Sequence, residues 1–125
     1  MFAALYELNI FLKKRLASFG FALEGLLTIF REQVNFRIHC FAALIVIFIG
    51  LYLEINRMEW CILVIVISID WVAEGINTAL EYLCDRVTTE TDFMIKKSKD
   101  IAAASVLISA TAALIVGIII FSKYV

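Results

Sequence analysis

At 125 residues, with 63% hydrophobic side chains and a mean hydropathy of +0.96, the chain is far more apolar than a soluble domain, where such residues make up about 45–50%. Twelve acidic against eleven basic residues leave a net charge of −1, which excludes the basic field that nucleic-acid binding needs. Cys40, Cys61 and Cys84 fit no zinc or dithiol spacing and read as small apolar side chains.

Residues 1–32 place Phe11, Leu12, Leu16, Phe19, Leu23, Leu26, Leu27 and Phe30 at helical spacing, with Lys13, Lys14, Arg15, Glu24, Arg31 and Glu32 between them. That pattern predicts an amphipathic helix lying in the membrane interface or against the cytosolic face of a bundle. It lacks the uninterrupted apolar core of a cleaved signal. Gly20 and Gly25 mark a break or a close helix approach. The first membrane helix is expected over 36–53, with Arg37 reaching back to the interface. A polar connector, Glu54 to Glu59, leads to the second, over 58–87, and a polar loop from Thr88 to Lys97 leads to the third, over 99–122. The start of the third is rich in Ala and Ser, which permit close helix contact. Tyr52, Trp60 and Tyr124 read as interface anchors, Trp71 as packing bulk or lipid contact, and the single histidine, His39, as an interfacial hydrogen-bonder. The fold class is therefore an all-α membrane protein, one domain of an N-terminal surface helix plus three transmembrane helices.

Orientation follows from the basic residues. The segment up to Arg37 holds Lys13, Lys14, Arg15, Arg31 and Arg37, and the stretch from Arg86 to Lys99 holds Arg86, Lys96, Lys97 and Lys99; only Arg57 and Lys123 lie on the other side. The N-terminus and the second loop are thus expected in the cytoplasm, with the protein multi-pass in a bacterial inner (plasma) membrane.

The second helix carries the chemistry. At about 100° per residue, Asp70, Glu74, Asn77, Glu81 and Asp85 fall within an arc of about 80°. An acid near the bilayer centre costs about 2.5–3.5 kcal/mol on the insertion scale, so such a stripe needs a purpose. If the helix enters hydrocarbon at Trp60, Glu74 lies about 9 Å below the cytosolic boundary, Asn77 about 4–5 Å below it and Glu81 at it, with Asp85 in water. A carboxylate in low dielectric is a stronger base, which nominates Glu74 as proton acceptor. Glu81, at the boundary, can share a divalent cation with phosphate oxygens, and Lys96, Lys97 and Lys99 can face a polyphosphate. A base, a metal ligand and a cationic clamp are parts for phosphoryl transfer to a lipid hydroxyl. Interhelical polar contacts or an ion path use the same residue types, and no P-loop is present.

The run E-G-I-N-T-A-L-E-Y-L-C-D, Glu74 to Asp85, resembles the signature E-x-x-N-S/T-A-x-E-x-x-x-D of the prokaryotic diacylglycerol kinase and undecaprenol kinase family. N-F-R-I-H from Asn35 and K-D-I-A-A-A from Lys99 extend the likeness, which covers nearly all of the chain from about Leu12. The resemblance implies a homotrimeric lipid kinase with composite sites between subunits, using ATP and Mg²⁺. It implies Glu74 as the base at the lipid hydroxyl, Asn77 as a positioning group, and Glu81 as metal ligand. Lys99, Asp100, Asp85, Glu90 and Asp92 would contact the nucleotide, as would Lys14 and Phe21 of the surface helix. Asn35, Phe36 and Arg37 would border the mouth through which lipid enters.

Two positions depart from the family pattern. Where it has a second metal-binding glutamate stands Gln33, and the adjacent Glu32 is expected to compensate. Asp70 stands at a commonly apolar position; with no complementary base expected at its depth, it is assigned a structural role, protonated or hydrogen-bonded to Ser105 or Ser109. Ala102 and Ala103, where the diacylglycerol branch tends to have Gly-Ser, favour undecaprenol over diacylglycerol. Outside this family, a small cation-coupled transporter and a structural membrane protein remain as rival classes.

Overall fold

The computed structural model describes residues 2–87 and 92–124. Four helices follow one another: α1 (Phe2–Glu32), α2 (Val34–Tyr52), α3 (Arg57–Val87) and α4 (Phe93–Phe121). They form two compact units, Met1–Gln33 and Val34–Val125. The last three helices are long and apolar enough to cross a membrane.

The first unit is α1 alone. It runs unbroken through Gly20 and Gly25, contrary to the expected break. Leu16, Phe19 and Leu23 are exposed, and Arg15 lies over the Phe11 ring at 4.9 Å.

In the second unit α3 packs along α4 and, over a shorter stretch, against α2. The α2–α3 connection is a tight turn. Ile55 N–H donates to Gly50 O (3.2 Å) and Glu54 N–H to Leu51 O (3.4 Å), while Glu54 sits in the left-handed region at φ 51°. These bonds make a Schellman motif, which satisfies carbonyls at the helix end. Gly50 permits it: an added Cβ would lie 3.0 Å from the Trp60 ring and 3.1 Å from Ile55 Cδ1. Ile55, Leu63 and Ile120 form the buried apolar cluster at this end, with Val46, Trp60, Val116 and Phe121 packed on it. Trp60 is thus a packing residue, because the glycine opposite leaves room for its ring.

Asn56 and Glu59 cap α3 reciprocally: Glu59 N–H donates to Asn56 Oδ1 and Asn56 N–H to Glu59 Oε2, each at 3.0 Å. Glu59, 5% exposed, also accepts from Lys123 Nζ at Oε1 and from Tyr124 O–H at Oε2 (2.6 Å). Tyr124, expected from sequence as an interface anchor, also donates a hydrogen bond across the bundle. That bond, above all, with burial and the nearby carboxylate charge, raises the Tyr124 phenol above its ordinary range, and the same carboxylate raises the Lys123 ammonium. At the other end, Asp92 caps α4, its Oδ1 accepting from Met94 N–H (2.8 Å) and Ile95 N–H (2.9 Å). The cap is why α4 begins well before Lys99, where the apolar run alone would start it.

Candidate active site

The stripe on α3 turns inward. Asp70 is 6% exposed, Glu74 1%, Asn77 7% and Thr78 2%, whereas Glu81 is half-buried and Asp85 exposed. Burial is thus deep from Asp70 to Thr78 and lost by Asp85. Asn77 Nδ2 donates to Glu81 Oε1 at 3.3 Å, one turn further on. Among the described residues three buried side-chain oxygens have no partner: Glu74 Oε2, Asn77 Oδ1 and Thr78 Oγ1. Unsatisfied buried polar atoms are costly, and these three lie within five residues of one helix.

Asp70 is not without a base, contrary to the sequence expectation. His39 Nδ1 lies 2.5 Å from its Oδ2, and Ser109 Oγ donates to its Oδ1 at 2.9 Å. Ser109 was one of the two expected partners; the other, Ser105, bonds Ile101 O of its own helix. His39 is thus a cross-helix partner, its side chain 18% exposed and that of Asp70 8%. Together the three side chains tie α2, α3 and α4. Beside them lies a cavity of about 470 Å³, lined by small residues such as Ala42, Ala43, Ala110, Ala113 and Gly117, with His39 and Asp70 as its polar end. Asp70 precedes Glu74 by one turn, so the apolar space ends close to the unpartnered carboxylate.

The remaining candidates fall in different places. Lys99 Nζ is 2.7 Å from Asp85 Oδ1, so a phosphate reaching Lys99 competes with this carboxylate. Asp100 and Lys96 are exposed, and Oδ1 of Asp92 is occupied by the cap. Glu90 lies outside the described residues. Phe36 is 3% exposed and packs on Trp71 (ring centroids 5.7 Å apart), whereas Asn35 and Arg37 are exposed. Lys14, Phe21 and Glu32, all exposed, and Gln33, half-buried, belong to the N-terminal unit. Among the described residues, no three His, Cys, Asp or Glu side chains gather to hold a metal. A single carboxylate such as Glu81 still suits Mg²⁺, which takes one or two carboxylates and fills its shell with phosphate oxygens and water. Sequence reasoning missed the His39–Asp70 pair and Thr78. The i, i+4 spacing of Thr78 from Glu74 was the available signal for the second.

A helical membrane protein with one buried carboxylate lining an apolar cavity and a second a turn beyond it has the makings of one that acts on lipids or moves ions. The family profile described as prokaryotic diacylglycerol kinase matches residues 20–121. The undecaprenol kinase of Bacillus subtilis (strain 168) is 35% identical over 115 residues, 92% of this chain and 90% of the relative. The diacylglycerol kinase of a Synechocystis species is 36% identical over 82% of this chain and 59% of its own length, and that of Pseudomonas aeruginosa 29% over 80% and 81%. The chain belongs to the prokaryotic diacylglycerol kinase family. It is an integral membrane lipid kinase.

Proposed function

We propose that the chain transfers the γ-phosphate of ATP to the hydroxyl of undecaprenol in preference to diacylglycerol, with Glu74 as the base. The observation that carries this reading is the Glu74 carboxylate, 1% exposed with Oε2 unpartnered, one turn from the end of an apolar cavity. The cavity is large enough for part of a hydrocarbon chain. The likeness to the Bacillus subtilis undecaprenol kinase supports the polyprenol; the relatives named diacylglycerol kinases support the alternative acceptor.

The lipid oxygen forms a bond to the γ-phosphorus, the bond from that phosphorus to the β,γ-bridging oxygen breaks, and its electron pair leaves with ADP. The lipid proton passes to Glu74. Asn77, bonded through its amide nitrogen to Glu81, would help place the reacting groups. Glu81 would hold Mg²⁺, with Glu32 or Gln33 as a second ligand; the ion neutralises charge on the phosphates when bound. Lys99, Asp100, Asp85, Glu90 and Asp92, with Lys14 and Phe21, would bind the nucleotide, and Asn35, Phe36 and Arg37 would border the lipid's path. We place α1 on the cytoplasmic surface of the inner membrane, together with the second loop, and the working unit is a homotrimer.

The test is phosphorylation by labelled ATP and Mg²⁺ of undecaprenol and diacylglycerol, side by side in detergent micelles. Glu74→Gln is expected to lower turnover by about 10²–10⁴-fold, the range of general-base catalysis. A variant as active as the wild type removes Glu74 from the role, and preference for diacylglycerol reverses the substrate assignment.

A further inference from the structure

Hydroxyls in helices have a default partner. A Ser or Thr bonds the carbonyl three or four residues back unless something draws it away. This chain follows the rule at Ser18, Thr28, Ser68, Ser98, Ser105 and Thr111, all bonded four residues back, and at Ser122, bonded three back, while Ser109 is drawn to Asp70 Oδ1. Among the described residues Thr78 alone departs from it. Its hydroxyl makes no back-bond, is buried at 2% exposure, and meets no partner.

A buried hydroxyl without a bond destabilises a fold, and the usual back-bond would have relieved it at no cost in sequence. The neighbours say what it faces. Glu74 stands one turn before it and Asn77 immediately before it, each with an unpartnered oxygen. As Glu74 Oε2 and Asn77 Oδ1 are acceptors, Thr78 holds the one proton that this group of atoms can donate. A ligand pairing with Glu74 Oε2 and Thr78 Oγ1 together must bring both a proton and a lone pair. An alcohol does so.

We propose that Thr78 is a substrate-positioning residue whose hydroxyl donates a hydrogen bond to the oxygen of the lipid alcohol. This inference rests on the reading of Glu74 as the base. The alcohol's proton points to Glu74, one lone pair accepts from Thr78, and the second lone pair is left aimed at the γ-phosphorus. In the transfer the alcohol O–H bond breaks with its proton moving to Glu74, the O–P bond forms, and ADP departs with the electrons of the broken P–O bond. Thr78 keeps its own proton throughout. It aims the acceptor and does not activate it.

The experiment compares wild type, Thr78→Val and Thr78→Ser in detergent micelles, on whichever lipid alcohol the wild type phosphorylates. Thr78→Val keeps the shape and deletes the hydroxyl. It should lower kcat/KM for the lipid alcohol by about tenfold or more, the scale of one lost hydrogen bond, with the KM for ATP and the Mg²⁺ requirement unchanged. Its thermal midpoint should equal or exceed that of the wild type, because a buried unsatisfied group has been removed. Thr78→Ser should recover most of the activity. A Val variant with undiminished kcat/KM, or one that is less stable or unfolded, overturns the inference, the latter because the hydroxyl is then structural. A raised KM for ATP or a raised Mg²⁺ requirement also overturns it, by assigning Thr78 to the phosphate side. A wild type inactive on every alcohol offered defeats the Glu74 reading itself, which separates the two failures.

Discussion

His39→Leu tests the cross-helix network most directly. The substitution removes the imidazole 2.5 Å from Asp70 and leaves that carboxylate, 8% exposed, with Ser109 as its described partner. Hydrogen bonds between membrane helices average about 0.6 kcal/mol and reach about 1.7 kcal/mol. Removing one member of a fully buried charge pair costs about 3–5 kcal/mol in soluble proteins. His39 keeps 18% of its side-chain exposure, so water relieves part of the second figure. The expected loss lies between these ranges, about 2 kcal/mol. Replacing both residues by Leu removes the stranded acid along with its partner, and the neighbouring cavity gives the new side chains room. The double variant should therefore be more stable than His39→Leu by about 1 kcal/mol, a non-additivity that a double-mutant cycle measures. The assay is reversible unfolding in mixed micelles by rising dodecyl sulfate fraction, followed by helicity. Additive losses would refute the coupling.

The tight turn between α2 and α3 gives two further expectations. Glu54→Gly should stabilise by about 1 kcal/mol in the same assay, because glycine adopts the left-handed conformation at φ 51° without strain; a loss would contradict this. Gly50→Ala should destabilise by about 1–3 kcal/mol by pushing a methyl to 3.0 Å from the Trp60 ring, and an unchanged midpoint would show that the ring yields freely. At high pH, Glu59 supplies a third. It raises Lys123 and Tyr124 above their ordinary 10.5 and 10.0, so the folded chain holds those protons more tightly than the unfolded chain does. Their contribution is complete below the unfolded values and lost as pH climbs through the folded ones. Thermal midpoints measured above about pH 10 should fall more steeply in the wild type than in Lys123→Met/Tyr124→Phe, and parallel curves would exclude the linkage.

Long apolar runs and a 3.6-residue period make α2, α3 and α4 readable from composition, and the same period places Asp70, Glu74 and Asn77 on one buried face. Periodicity describes a helix about its own axis and carries no information on the register between helices. That is why the His39–Asp70 pair, from α2 and α3, was not foreseen, although Ser109 was a candidate for Asp70. The packing roles of Tyr124 and Trp60 were hidden for a related reason. Aromatic rings near a span's end suit headgroups equally well, and only the packed bundle shows one bonded to Glu59 and the other filling the space above Gly50. The start of α4 was a matter of local chemistry: Asp92 caps a turn that hydropathy does not register.

The clasp between Glu59 and the residues just past α4 has a practical side. Lys123 and Tyr124 look like expendable tail, yet they hold a carboxylate in the first turn of α3. Trimming them, or fusing a purification handle directly to them, would disturb a helix start far away in sequence. Handles attached ahead of α1 leave that fastening untouched.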